Sequence, residues 1–512
     1  MSEWNVAPDG LSAQQLLGIR RGIEKESLRA LPSAALAATP HPAALGSALT
    51  HPHITTDFSE SQIELITGVH AGIESCLDEL RRVQNFTLAA MGEETLWVSS
   101  MPCCLPADDA IPLGQYGSSN VGQAKTVYRN GLGYRYGRRM QTISGIHYNW
   151  SLPGVSSEAY FGLIRNFRRH AFLLLYLFGA SPAVCSTFVQ GRDHALQEMQ
   201  PGTMGLPYAT SLRMGRLGYQ SAAQSALAVS YNSLEGYAAS LHQALTVPYP
   251  AYEAIGLRDA QGQFKQLTTS LLQIENEFYG TIRPKRVIFQ GERPLHALRE
   301  RGVEYVEVRL MDLDPFEPVG INASTLRFLD VFLLHCLTQA SPQDSPQEIA
   351  AMAHNQQAVA ERGRQPGLQL QRGQTQVELR AWGLDIVQQL RPLAQSLDQA
   401  HGGSAYAQAV DLAAHGLHEP DSLPSARVLR VMQEEHGGSF SAFGASRSQQ
   451  TKAQELALAL PAHALAHFQQ MAQDSLDKQR QIEAADTLPF AQYLAQYLSP
   501  ERLGQARQPQ AA

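Results

Sequence analysis

The stretch Gly18-Ile19-Arg20-Arg21-Gly22-Ile23-Glu24-Lys25-Glu26-Ser27-Leu28-Arg29 carries two carboxylates, Glu24 and Glu26, two positions apart. On an extended chain, residues i and i+2 point to the same face, so a strand here holds both acids side by side. Neighbouring carboxylates repel unless positive charge lies between them. Hard divalent cations such as Mg²⁺ use such oxygen ligands and often share them with nucleotide phosphates. The plain alternative is a solvated strand or helix end, with Glu24 and Lys25 as surface charges. Later segments repeat the arrangement and tilt the reading toward the cation.

Around Asp57, the second half of the stretch from His53 to Thr67 alternates as a strand does and carries Glu64. Residues 72–91 have helical spacing and stop before Gly92, while residues 99–137, rich in Gly, Pro and Ser, read as a long ordered loop region. Residues 142–152 make the clearest strand: Ile146, Tyr148, Trp150 and Leu152 on one face; Gln141, Ile143, Gly145, His147 and Asn149 on the other. A helix follows over 158–179. Alternation predicts a strand over 271–279, with Gln273, Glu275, Glu277 and Tyr279 together, and another over 303–309, with Tyr305, Glu307 and Arg309 together. Beyond about residue 340, Ala, Gln and Leu at helical spacing predict mostly helices, and the last residues read as frayed. The expected fold is α+β: one antiparallel sheet whose polar face is the site, flanked by helices. The expected division is a catalytic part, 1–340, and a mainly helical part, 341–512, packed on it as one unit.

The net charge of -7 and pI near 6.2 offer no global basic field for nucleic acid. Five scattered cysteines with no Cys-x-x-Cys suit a reducing, cytoplasmic setting, and adjacent Cys103 and Cys104 read as packed thiols. The first residues lack the basic and apolar regions of a signal peptide. The apolar run 171–180 is too short to span a bilayer, so no membrane association is expected.

The polar faces gather Glu24, Glu26, Asp57, Glu64 and Glu307 with His147, Asn149 and Arg309. Five carboxylates suffice for about two or three Mg²⁺ ions, and an imidazole suits Mn²⁺ better. Each residue alone reads as surface charge or a core histidine; together, on otherwise apolar strands, they need a shared partner. The chain has no P-loop, no dinucleotide-binding glycine pattern, no His-Glu-x-x-His and no Gly-x-Ser-x-Gly. An acid-rich sheet that holds ATP through cations is one remaining way to bind a nucleotide.

The segments at 22–29 (Gly-Ile-Glu-Lys-Glu-Ser-Leu-Arg), 44–51 (Ala-Leu-Gly-Ser-Ala-Leu-Thr-His), 55–60 (Thr-Thr-Asp-Phe-Ser-Glu) and 141–149 (Gln-Thr-Ile-Ser-Gly-Ile-His-Tyr-Asn) closely resemble bacterial glutamate–cysteine ligases. So do 206–213 (Leu-Pro-Tyr-Ala-Thr-Ser-Leu-Arg), 272–277 (Leu-Gln-Ile-Glu-Asn-Glu) and 282–286 (Ile-Arg-Pro-Lys-Arg), and the likeness returns at 425–430 and 483–490. The resemblance implies a glutamine-synthetase-like funnel, a curved antiparallel sheet with helices outside. It implies ATP-dependent joining of L-glutamate to L-cysteine through a γ-glutamyl phosphate, the first step toward glutathione.

By the same resemblance the metal-binding residues match Glu24, Glu26, Asp57, Glu64, His147 and Glu307, and Glu24, Glu307 and Arg309 are expected to be catalytic. Arg309 matches the arginine that holds the glutamate carboxylate. Substrate contacts match Tyr128, Leu132, Gln141, Ile143, Asn149, Arg213, Tyr219 and Tyr279. Arg283, Lys285 and Arg286 are positioned to meet ATP phosphates or to form a plain basic loop; Lys125, among few lysines, also stands out. A monomer and product inhibition by glutathione are implied as well. Departures are Cys104, where an aromatic is expected, and a short segment after Pro153. The competing readings are a related ligase with another amine acceptor and a catalytically silent amino-acid or nucleotide binder.

Overall fold

Strand β1, Arg20–Ala30, is buried along nearly its whole length, so both of its hydrogen-bonding edges need partners. In the computed structural model, which describes residues 11–504 except 219–221, 226, 228 and 290, it finds them in β3 (Gln62–Ile66) and β5 (Ile146–Ser151). The sheet extends through β2 (Ile54–Thr56) on one side, and through β10 (Tyr305–Met311) and β9 (Ile282–Lys285) on the other. Its order is β2-β3-β1-β5-β10-β9, with β4 (Thr95–Leu96) paired to the end of β1. Every pairing is antiparallel and the sheet is not closed into a barrel.

One face is apolar. Ile23, Ile146, Tyr148, Trp150, Val306 and Val308 are buried there, in the same core as the helices Ser157–Phe178 and Ala323–Thr338. Within that layer Arg21 Nη2 meets Asp330 Oδ2 at 2.8 Å, and the Tyr148 hydroxyl donates to the other Asp330 oxygen at 2.7 Å. Lys25 is not a surface charge. It points into this layer, where its ammonium donates to the Gln84 side chain, and burial lowers its pKa to about 8.

Three expectations of local structure are corrected. Residues 99–137 are not all loop: Asn120–Tyr136 is a helix that lies across the polar face. Its glycines lower intrinsic helix propensity, and its first turn is held by acceptors from elsewhere in the sequence. Ser119 Oγ accepts from Gly122 N–H at 3.2 Å, Glu483 accepts from Ser118 N–H at 2.8 Å, and Asp486 accepts from Asn120 N–H. Residues 271–279 are not a strand but an irregular segment with a 3₁₀ turn at Glu275–Glu277. The alternating polar residues are there because each has a separate buried partner. Glu275 pairs with Arg293 at 2.7 Å and Glu277 with Arg135 at 2.9 Å. Likewise, the predicted strand over 142–152 starts only at Ile146, and Met140–Thr142 is a 3₁₀ turn.

Beyond residue 340 the chain is mostly helical, apart from a hairpin of Gln369–Arg372 with Thr375–Glu378. Its helices reach back to the first part of the chain: Ser47 N–H, in the connection between β1 and β2, donates to Ser475 Oγ at 2.9 Å, and Phe490–Tyr497 brings two tyrosines to the polar face. A second sheet, β6 (Ala183–Cys185), β7 (Gln197–Gln200) and β8 (Thr203–Gly205), is ordered β6-β8-β7.

Candidate active site

Directly opposed residues in an antiparallel pair share a face. The ladder sets Glu64 opposite Glu26, Glu24 opposite His147, Asn149 opposite Glu307, Glu307 opposite Arg283, and Tyr305 opposite Lys285. One row therefore crosses five strands, acidic on β3 and β1 and cationic on β9. Thr55 stands opposite Glu64, and Asp57 follows two residues later, at the end of β2. The row floors a cavity of about 500 Å³ roofed by Lys125, Tyr128, Arg129 and Leu132 of the Asn120–Tyr136 helix.

The oxygen and nitrogen ligands of Glu24, Glu64 and His147 lie within 4.8 Å of one another. His147 Nδ1 lies 3.1 Å from Glu24 Oε2, and Asn149 Nδ2 donates to the other Glu24 oxygen at 2.9 Å. His147 Nε2 faces Glu26 Oε1 at 3.6 Å. Burial and the Glu307 charge raise the Glu24 carboxyl, but the His147 hydrogen bond and the Lys285 charge help to outweigh them, so its pKa lies below the usual value. An ionised Glu24 only accepts, so Nδ1 carries the imidazole proton and Nε2 keeps a lone pair. Burial and the nearby Arg309 charge keep His147 itself neutral.

Glu26 and Glu64 behave differently. Burial and the Asp57 carboxylate push Glu26 up to about 8, although Gly145 N–H donates to it at 2.8 Å. Burial and the charges of Glu24, Asp57 and Glu26 push Glu64 well above the carboxylate range. These acids take up protons because they crowd without enough positive charge, the condition a divalent cation relieves. The donor set, carboxylate oxygens with one imidazole nitrogen, fits Mg²⁺ or Mn²⁺.

Glu307 sits among cations: Arg309 at 3.2 Å, Lys285 at 3.4 Å and Arg283 at 3.5 Å. Burial opposes its ionisation, but those three charges hold it well below the usual range. Across the cavity, Arg129 donates to the main-chain oxygens of Asp57 and Thr56 and lies over the Tyr116 ring. Lys125 also faces that ring, at 5.0 Å, and pairs with no carboxylate among the described residues. Burial and Arg129 lower its pKa to about 8.

A second cavity, of about 540 Å³, shares Tyr279 and Arg309 with the first and is lined by Arg213. Arg213 is buried; its Nη2 donates to the Arg309 carbonyl at 2.7 Å, and Asp312 lies 4.0 Å from Nη1. Its guanidinium lies against Gly145, where a Cβ would stand 2.1 Å from Nη2. Gln141 Nε2 donates to the Tyr279 hydroxyl at 2.7 Å.

Of the residues expected from sequence, Glu24, Glu26, Asp57, Glu64, Tyr128, Leu132, Gln141, His147, Tyr279, Arg283, Lys285, Glu307 and Arg309 line the first cavity. Asn149 reaches it through Glu24, Arg213 lines the adjoining cavity, and Ile143 is buried beside Gln141. Tyr219 lies outside the described residues. Arg286 is turned away, donating to the Arg301 carbonyl. Sequence reading missed Arg129, Ile274, Ile288, Tyr493 and Tyr497 in the lining. Arg129 lies one helical turn after Lys125, a signal available only once that segment is known to be helical.

The family model for glutamate-cysteine ligase matches residues 9–359. Glutamate–cysteine ligase of Saccharophagus degradans is 46% identical over 509 residues, covering 96% of each chain. That of Alcanivorax borkumensis is also 46% identical, covering 95% of this chain and 97% of its own. Among solved structures, glutamate–cysteine ligase from Francisella tularensis in complex with AMP superposes with a TM-score of 0.89 at 37% identity, covering 94% of this chain and 97% of that one. Sheet register, the acid row and the near full-length likeness agree: the chain belongs to the glutamate–cysteine ligase family.

Proposed function

We propose that this cavity joins the γ-carboxylate of L-glutamate to the amine of L-cysteine at the expense of ATP, giving γ-glutamylcysteine, ADP and phosphate. The observation that carries it is the row from Glu64 to Lys285, acidic at one end and cationic at the other. Attack of a carboxylate on the ATP γ-phosphate brings two anions together, and positioned positive charge is the main contribution an enzyme makes to such a transfer. Glu24, Glu26, Asp57, Glu64, His147 and Glu307 would hold two or three Mg²⁺ ions, with Mn²⁺ as the alternative. When bound, these ions neutralise the phosphate oxygens and the charge that develops between the reactants.

Arg309 offers a planar fork to the glutamate carboxylate, which a lysine would not match. Arg283 and Lys285 approach the phosphates from β9. Lys125 and Arg129 approach from the helix above, and their position in the lining supports adding them to the ATP contacts. Arg213, Tyr128, Gln141, Ile143, Leu132, Asn149, Tyr219 and Tyr279 are assigned to the amino-acid side, where the cysteine amine attacks the acyl phosphate. Asn149 orients Glu24, and Arg213 is held by Asp312. No helix among the described residues is long and apolar enough to cross a membrane. A cytoplasmic monomer inhibited by glutathione, with 1–340 as its catalytic part and 341–512 packed on it, completes this reading.

The test is ADP release from ATP, Mg²⁺ and glutamate, with and without cysteine, beside 2-aminobutyrate and other amines. Turnover that needs cysteine, or its close analogue, supports the assignment. Equal turnover with unrelated amines points to a ligase of another acceptor, and ATP binding without turnover to a silent binder.

A further inference from the structure

We infer that Cys104 and Cys185 form a reversible oxidation site, a dithiol that closes to a disulfide by exchange with a low-molecular-weight disulfide. The sulfurs lie 3.3 Å apart although the residues are 81 positions apart in sequence. Neither lines the two cavities described above. The Cys104 side chain points not at the adjacent, fully buried Cys103 but at Cys185.

Hydrogen bonds fix the segment that carries Cys104 and tie it to the segment that carries Cys185. Cys104 N–H donates to the Ala34 carbonyl, and Leu36 N–H donates to the Cys104 carbonyl. One residue on, Leu105 N–H donates to Thr187 Oγ1 at 2.9 Å, tying the Cys104 segment to the turn that follows Cys185 at the end of β6. A disulfide needs its sulfurs about 2.05 Å apart, so closure draws together two sulfurs that already lie 3.3 Å apart. The Cys104 contact, with Thr187 and two backbone N–H groups, holds the Cys185 thiol at about 6, so the pair has a thiolate available near neutral pH. Cys104 is only partly buried whereas Cys185 is enclosed, so an external disulfide meets Cys104 first.

The exchange balances as follows. The Cys185 thiolate takes the proton of Cys104 as Cys104 Sγ attacks one sulfur of RSSR, forming a Cys104–SR bond and releasing RS⁻. Cys185, deprotonated to solvent, attacks Cys104 Sγ and expels the second RS⁻. The protein loses two hydrogens and two electrons, and RSSR becomes two RSH. The cross-link joins the segment after β4 to β6 and constrains the unfolded chain through a long loop. Its expected signature is a higher Tm for the oxidised protein, with the catalytic cavity unaltered.

The full-length protein is equilibrated across ratios of reduced to oxidised glutathione, quenched with an alkylating agent in denaturant, which opens the buried thiols, and digested without reduction. The expected result is a Cys104–Cys185 linked peptide, three alkylatable thiols instead of five, and reversal by dithiothreitol. Cys104→Ser should abolish both the link and the rise in Tm while keeping wild-type turnover; Cys185→Ser is the second variant. The inference is overturned if all five thiols stay alkylatable at every ratio, if Cys103 replaces either partner, or if oxidation stops at a glutathione adduct on Cys104.

Discussion

Glu24 and His147 face each other across the β1–β5 ladder, with His147 Nδ1 3.1 Å from Glu24 Oε2. The contact fixes the imidazole tautomer and leaves Nε2 and the remaining carboxylate lone pairs for a cation. Asn149, two residues along β5, holds the other Glu24 oxygen. Glu24→Gln should lower cysteine-dependent ADP release more than tenfold, above ~1.4 kcal/mol. Asn149→Ala, which removes only the orienting hydrogen bond, should raise the half-saturating Mg²⁺ concentration by roughly ten- to hundredfold. A Mg²⁺ titration identical to wild type for both variants would remove the cation from this end of the row.

Gly145 is required by close approach rather than by its backbone angles. A Cβ there would displace the Arg213 guanidinium and break its 2.7 Å hydrogen bond to the Arg309 carbonyl. Gly145→Ala should raise KM for cysteine by about ten- to hundredfold, the scale of a misplaced binding group, while the protein still folds. An unchanged KM for cysteine would take Arg213 out of the acceptor pocket.

Lys125 faces the cavity with an aromatic ring as its partner and a pKa lowered to about 8. Lys125→Met should raise KM for ATP about tenfold, ~1.4 kcal/mol, and leave KM for glutamate alone. Because a half-buried ammonium without a carboxylate partner is costly, Tm should hold or rise. A falling Tm with unaltered ATP kinetics would make the lysine structural.

His335 is buried beside His170 in the helical layer, and burial lowers its pKa to about 4. The folded value lies below the unfolded one, near 6.5. Stability is therefore unaffected above about pH 6.5, falls as the unfolded chain gains a proton the native state refuses, and levels near pH 4. The loss across that window is on the order of 3 kcal/mol. His335→Phe should flatten that part of a denaturation-against-pH profile, whatever its effect at neutral pH; an unchanged slope would place the acid sensitivity elsewhere.

Strand parity in the sequence was enough to put Glu24 with Glu26, His147 with Asn149, and Glu307 with Arg309, because a side-chain period of two is a local property. It misled at Glu275 and Glu277, where alternation reflects Arg293 and Arg135 meeting each acid separately. It could not reveal the helix that carries Tyr128 and Leu132, since Glu483 and Asp486 help hold its first turn from a distant part of the chain. Local periodicity and motifs were enough for the polar faces, the apolar faces and the family. That Glu26 stands against Glu64, that Lys25 turns inward, and that Tyr493 and Tyr497 reach the cavity emerged from the packing of distant segments. Register, burial and long-range contact depend on which strands and helices meet, and local periodicity carries no information about partners far away in the chain.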